Sequence, residues 1–187
     1  MQVRNTTRRW GVPAIGLHWL VALLVIGMLM VGFAMVRFYE DDLARKFELY
    51  QLHKSFGFTV FCLAALRLAW RALNPTPALP GTLKPYERVL ARITHWGLYG
   101  LLAALPISGW LMSSASPLGI TTRVFDLFAL PNAVAPDEAL FELLHQVHEI
   151  LAFVLAGLLV LHVAAAFKHH FVLKDDTLKR MLPGRSA

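Results

Sequence analysis

Long runs of apolar residues, separated by short polar stretches, dominate this chain, and their lengths predict its elements. The first run, Ile15 to Val36, contains a single ionisable group, His18. It follows Pro13, a residue suited to a first helical turn, and stops before "RFYEDD". A second runs from about His53 to Trp70, bounded by Lys54 and Arg67 and closed by the loop "NPTPALPG". A third runs from about Ile93 to Met112, with Pro106 inside it as an expected kink. A fourth covers about Leu140 to Phe167. About 20 apolar residues cross a bilayer core as a helix. None of the runs alternates with the period of a strand, and in lipid only helices and closed barrels satisfy their own backbone. The pattern therefore predicts an all-α fold: an integral membrane four-helix bundle, one domain over residues 1–187, with spans at about 15–36, 53–70, 93–112 and 140–167.

Composition agrees with a lipid environment. The chain is 57% hydrophobic and 16% charged, too few charges to clothe a soluble domain of 187 residues. Its net charge of +6 would point to nucleic acid in a soluble protein, but the distribution of that charge points elsewhere. The N-terminal tail (Arg4, Arg8, Arg9), the middle connection (Arg67, Arg71, Lys84, Arg88, Arg92) and the C-terminal tail (Lys168, Lys174, Lys179, Arg180, Arg185) carry most of the basic residues. The other two connections carry only Arg37, Arg45, Lys46, Lys54 and Arg123, together with Glu40, Asp41, Asp42, Asp137 and Glu138. By the positive-inside rule both termini are expected in the cytoplasm, and nucleic acid is not expected as a partner. The single cysteine, Cys62, permits neither an intrachain disulfide nor a cysteine-based metal cluster. The first run is long enough to span and ends without a small-residue cleavage site, so it is expected to remain as a helix.

With the helices oriented, each histidine acquires a depth. His18 and His162 fall on the cytoplasmic side, His53 and His148 on the outer side. His148 and His162 are separated by four helical turns less about 40°, so they share one face about 21 Å apart along the axis. His145 points about 100° away from His162 and falls off that face. Taken singly, an intramembrane histidine reads as an interhelical hydrogen-bonder or an interfacial residue. Two pairs matched in depth and azimuth suggest instead two bis-histidine haems in a bundle core, a neutral imidazole being a good axial ligand to haem iron. Zinc or copper fits less well, since two ligands per level leave a tetrahedral site half filled. Gly27, Gly32, Gly57 and Gly157 would give a porphyrin room, and Arg67 and Arg71 would neutralise its propionates. His95, beside Trp96, reads as an interfacial anchor, and Trp10, Trp19, Trp70 and Trp96 as an aromatic belt at the inner boundary.

The chain resembles the bacterial cytochrome b561 family of small four-helix dihaem cytochromes of the inner membrane. The resemblance is carried by "LHWL" at His18, "QLHKSFG" at His53, "RLAWRALNPTP" from Arg67, "ALPISG" from Ala104, "HEILA" at His148 and "LHVAAAFKHHFVLKDDTLKRM" from Leu161. It implies that His18, His53, His148 and His162 are the haem ligands, with two b-type haems and electrons passing between the outer side and ubiquinone. Some members of the family look like superoxide oxidases, which take an electron from superoxide at the periplasmic face, release oxygen and reduce ubiquinone.

Superoxide is an anion, so Lys54 and Arg37, with Arg45 and Lys46, are the outer-face candidates to steer it, although acids outnumber bases in those connections. For quinone the candidate is His169, two turns beyond His162 on nearly the same face. His170 points elsewhere, and Asp175 and Asp176 read as a solvated tail. Two other functions are compatible with the same sequence. One is a cytochrome b subunit that takes electrons from a partner dehydrogenase or hydrogenase. The other is a haem-free membrane transporter or assembly protein.

Overall fold

The computed structural model describes residues 2–7, 9–38, 42–79, 81 and 83–182. Arg8, Glu40, Asp41 and Arg185, used above to argue orientation, lie outside the described residues. Each apolar run is a helix, and each helix extends beyond its run. α1 (Val12–Arg37) carries Pro13 in its first turn, where a missing N–H costs nothing. Ahead of it, Gly11 N–H donates to Asn5 Oδ1 (2.9 Å) and Val12 N–H to the Gln2 carbonyl (3.1 Å), folding the N-terminal segment over the helix start. A Cβ at Gly11 would collide with the Val3 carbonyl, so glycine is required there.

α2 (Leu43–Leu73) begins well before the predicted His53. Asp42 caps it by accepting from Arg45 N–H (2.9 Å), and the first turns, "LARKFELYQL", are too polar to register as a span. α3 (Pro85–Ala115) likewise starts early, with Glu87 accepting from Lys84 N–H (3.0 Å). α4 (Glu138–Phe167) is capped by Asp137, which accepts from Leu140 N–H (2.9 Å). Bilayer thickness sets a minimum apolar length and does not stop a helix from continuing into water, which is why hydropathy alone placed these ends too far in.

All four helices are long and apolar enough to cross a membrane. α1 packs on α2, α2 on α3 and α3 on α4. A narrow core joins them at mid-height: Val21 and Val25 of α1, Val60 and Ala64 of α2, Leu101 and Leu102 of α3, and Leu155 of α4. Leu23, Met30, Phe153 and Val160 point outward, as lipid-facing side chains do.

The connection between α3 and α4 holds an antiparallel hairpin that the apolar pattern did not foresee, its strands being too short to show a period. β1 (Thr122–Val124) pairs with β2 (Phe128–Leu130), Arg123 lying opposite Ala129. The hairpin is tied to α2 where Ser55 Oγ accepts from Phe125 N–H (3.0 Å) and where the Phe56 and Phe125 rings meet edge to face at 5.1 Å.

At the opposite end the termini meet. Trp19 Nε1–H donates to the Met181 carbonyl (2.6 Å), Ala78 N–H to the Thr7 carbonyl (3.0 Å), and Arg180 to the Ala78 carbonyl (3.0 Å). Trp70 Nε1–H reaches Asn5 Oδ1 at 3.5 Å. The bundle therefore has a terminal end and a hairpin end. Trp19 and Trp70, expected only as belt residues, also fasten the chain's two ends to the helices.

Candidate functional site

The four predicted histidines come together as two pairs, one per end. At the terminal end the rings of His18 (α1) and His162 (α4) lie 6.2 Å apart, tilted 66° to each other. At the hairpin end His53 (α2) and His148 (α4) lie 6.4 Å apart, tilted 74°. Two imidazoles on opposite sides of one metal ion, each bonded at about 2 Å, have ring centres about 6–6.5 Å apart. Both pairs match that separation.

The protein environment of these rings argues against an interhelical hydrogen-bonding role. Nδ1 of His18 and Nδ1 of His53 are buried with no protein partner, a costly arrangement if hydrogen bonding were the reason for the residues. His148 is the exception, and its bond fixes the ring. The Ser108 hydroxyl donates to the Leu105 carbonyl (2.9 Å), which leaves its oxygen to accept from His148 Nδ1–H (3.0 Å). That hydrogen bond selects the tautomer whose free Nε2 suits a metal. Gly109 completes the arrangement, because a Cβ there would lie 3.2 Å from His148 Cε1. The "ALPISG" segment of α3 is thus the seat of the His148 ring, with Leu105, Ser108 and Gly109 each contributing. Gly32 of α1 plays the matching part for His53, its absent Cβ standing 3.3 Å from His53 Cε1.

Gly27 also belongs to this end. With Leu23, Leu24, Met28, Leu52 and Phe56 it lines an apolar cavity of about 210 Å³ against His53. Gly57 faces the Met28 methyl at 3.6 Å, and a Cβ on Gly157 would meet open space. Two imidazoles facing each other at each level are the donor set that haem iron requires, and the apolar cavity beside His53 leaves open space next to the hairpin-end pair.

At the terminal end the structure adds a histidine that the sequence reads as an anchor. His95 of α3 packs edge-on to His162 at 5.3 Å. That is shorter than the 6.2 Å between His18 and His162, and the edge-on contact makes His95 a buttress of the His162 ring. The signal available in the sequence was depth: His95 lies as far from the α3 start as a terminal-end residue must. Arg67 of α2 sits over the Tyr99 ring at 5.3 Å, with no acidic partner among the described residues, and Arg71 follows one turn on. A cation beside this histidine cluster is placed to receive a propionate. His145 is exposed and stacks on Phe141 (6.3 Å, 26°), off the paired face as its azimuth required. His170 lies edge-on to Phe171 at 4.7 Å.

Among the hairpin-end cations, Arg45 is paired with Glu48 (3.0 Å) and Arg123 with Asp126 (2.9 Å). Arg37 lies over the Phe33 ring at 5.9 Å. Lys54, half-buried next to His53, donates to the neutral Ser113 hydroxyl (3.2 Å). Among the described residues, then, Lys54 is a cation without an acidic partner that lies beside the hairpin-end histidine pair.

The tail corrects one expectation. Asp175 is not part of a solvated tail: His169 Nδ1 approaches its Oδ2 at 2.6 Å, and the two side chains are 12% and 10% exposed. Burial alone would push the Asp175 carboxyl up, but hydrogen bonds from Thr177 and His169 hold it below the usual carboxylate value. Asp176 instead pairs with Arg180 (2.8 Å).

A membrane-spanning bundle with paired histidines at two levels defines a class, the b-type membrane cytochromes. Residues 9–184 match the family model described as prokaryotic cytochrome b561, and the chain belongs to that family. It is 39% identical over 188 residues to cytochrome b561 homolog 2 of Escherichia coli K12, covering 100% of this chain and 97% of that protein. It is 33% identical over 180 residues to a Yersinia pestis protein named probable superoxide oxidase CybB, covering 94% and 97%. Cytochrome b561 homolog 1 of E. coli K12 is 25% identical over 177 residues, covering 95% and 98%. The chain is accordingly a multi-pass bacterial membrane protein of a haem b-binding, electron-transport family.

Proposed function

We propose that this chain holds two b-type haems, one between His18 and His162 and one between His53 and His148, and that it passes electrons from the periplasmic face to ubiquinone. The observation that carries this reading is the pair of histidine separations, 6.2 and 6.4 Å, at opposite ends of one bundle. When bound, the haems supply one-electron transfer between the two levels. The remaining roles belong to the protein. Two imidazoles would hold the iron at each level, which would favour electron transfer over direct oxygen binding. Arg67 and Arg71 neutralise carboxylates at the terminal end, and the core from Val21 to Leu155 separates the levels and excludes water.

The charge distribution supports a cytoplasmic terminal end, and hence a periplasmic hairpin end. Superoxide is the favoured donor there, supported by Lys54 beside His53, which has no acidic partner among the described residues, and by the name of the Yersinia relative. Arg37 adds long-range attraction. His169 is the candidate to meet a quinone carbonyl at the other face.

The test is a haemochrome assay on purified protein with stopped-flow mixing against superoxide. Two haems per chain are expected, reduced faster than superoxide dismutates, and His148→Ala should lose one haem while His145→Ala keeps both. A single haem in the unaltered protein would refute the pairing. Two haems indifferent to superoxide would refute that donor and leave electron supply to a partner dehydrogenase.

A further inference from the structure

α4 does not simply end. Its last turn widens into a π-helical turn over Lys168–Val172, and Lys174 adopts a left-handed conformation (φ 53°) that reverses the chain. The reversal returns Asp175 to His169. Asp175 N–H donates to the His169 carbonyl (3.1 Å), His169 Nδ1 meets Asp175 Oδ2 (2.6 Å), and Thr177 N–H donates to Asp175 Oδ1 (2.9 Å). Both oxygens of the carboxylate are thereby occupied and its orientation is fixed.

Several charged groups around this pair are matched with others. Lys168 bonds Glu87 of α3 (2.9 Å), and Asp176 bonds Arg180, which is itself held by the Ala78 carbonyl. Trp19 of α1 holds the segment down through Met181. Among the described residues Asp175 is left with His169 as its titratable partner, inside a folded segment instead of in bulk water. A lysine in ordinary tail geometry would need none of this. A strained residue, a widened helical turn and a carboxylate buried on an imidazole together mark a pair held for acid–base work.

We propose that Asp175 and His169 form the proton-delivery pair for quinone reduction, with His169 as the donor and Asp175 as its positioning residue. The proposal rests on the quinone reading above. Asp175 holds the proton on Nδ1, so Nε2 is the nitrogen that exchanges. A quinone carbonyl becomes a hydroxyl by gaining an electron, supplied one at a time from the outer donor, and a proton from Nε2–H. The C=O bond order falls to one as the O–H bond forms, and the imidazole is left neutral with Nδ1–H still on Asp175. Water at the cytoplasmic face returns a proton to Nε2. A second electron, from a second one-electron donor such as superoxide, and a second proton, taken up from water at the cytoplasmic face by the other quinone oxygen, complete the quinol.

Purified, haem-loaded wild type, Asp175→Asn, Asp175→Glu, His169→Gln and a control, Asp176→Asn, should be compared for reduction of short-chain ubiquinone in H2O and D2O. Haem content and the rate of haem reduction without quinone check each protein's integrity. Asp175→Asn should lower kcat about tenfold or more, as outer-shell partners of a working histidine do, with KM changed less than twofold and a larger solvent isotope effect. His169→Gln should lower kcat about 100-fold. Asp175→Glu should recover part of the loss, and Asp176→Asn should behave as wild type. Wild-type kcat and isotope effect in Asp175→Asn, alongside a slow His169→Gln, would overturn the pairing alone. Wild-type protein that reduces its haems but not quinone would overturn the quinone reading and the pair's role with it.

Discussion

Removing the Ser108 hydroxyl should raise the potential of one haem and leave the other unmoved. In the fold, Ser108 donates to Leu105 and accepts from His148 Nδ1–H at 3.0 Å, and its side chain is buried. An acceptor on Nδ1–H makes the ring a stronger electron donor through Nε2, which stabilises ferric over ferrous iron. In Ser108→Ala that assistance is gone, so the ferric state loses more and the potential rises. A neutral hydrogen bond is worth about 0.5–1.5 kcal/mol net. At about 59 mV per 1.4 kcal/mol for one electron, this is a shift of roughly 20–65 mV. The lower half of that range is expected, because the Leu105 carbonyl is freed by the same change and lies close enough to take over part of the role. A spectroelectrochemical titration resolves the two potentials, and His148→Ala identifies which component belongs to the hairpin end. A downward shift, or an equal shift of both components, would refute the seat assigned to Ser108.

Other consequences follow from contacts of the same kind. Gly109→Leu and Gly32→Leu should each reduce haem content from two to one per chain, since even a Cβ would stand 3.2 and 3.3 Å from the His148 and His53 rings. Retention of two haems in both variants would show that those rings have slack. Trp19→Phe should speed tryptic cleavage at Lys179 and Arg180 about 2–10-fold, by removing a hydrogen bond worth about 0.5–1.5 kcal/mol. An unchanged rate would mean the tail is held by other means. Lowering the pH should leave the tail docked well into the acid range. Asp175 has a depressed carboxyl, so its contribution is complete above the ordinary value of 3.8 and is lost only as the pH falls through its lowered one. Cleavage that accelerates near pH 6 would contradict this.

The spans and the pairing of the histidines were legible because both depend on one-dimensional quantities. An apolar run long enough for lipid has few alternatives to a helix, and residue separation on a helix fixes depth and azimuth at once. That is why spacing alone separates His148 from His145. The ends of α2 and α3 were not legible from hydropathy, because Asp42 and Glu87 cap turns that lie beyond the lipid requirement. The hairpin escaped for a different reason. It is held by tertiary contacts, Ser55 to Phe125 and Phe56 to Phe125, and three-residue strands leave no pattern of their own.

The site divides along the same line. Everything that depends on one helix, the His148 to His162 register or the exposure of His145, follows from spacing. Everything that depends on two helices had to be seen: Gly109 beneath His148, Gly32 beneath His53, and His95 against His162. The case of Asp175 shows why. Six residues beyond His169, an unbroken α-helix would carry it to the opposite face, and a frayed tail would leave it in water. Only a widened turn at Lys168–Val172 and a left-handed Lys174 bring it back. A contact that requires two departures from regular geometry is invisible to any argument from period. Its presence in the folded chain is therefore stronger grounds for a role than a contact that regular helices would have made anyway.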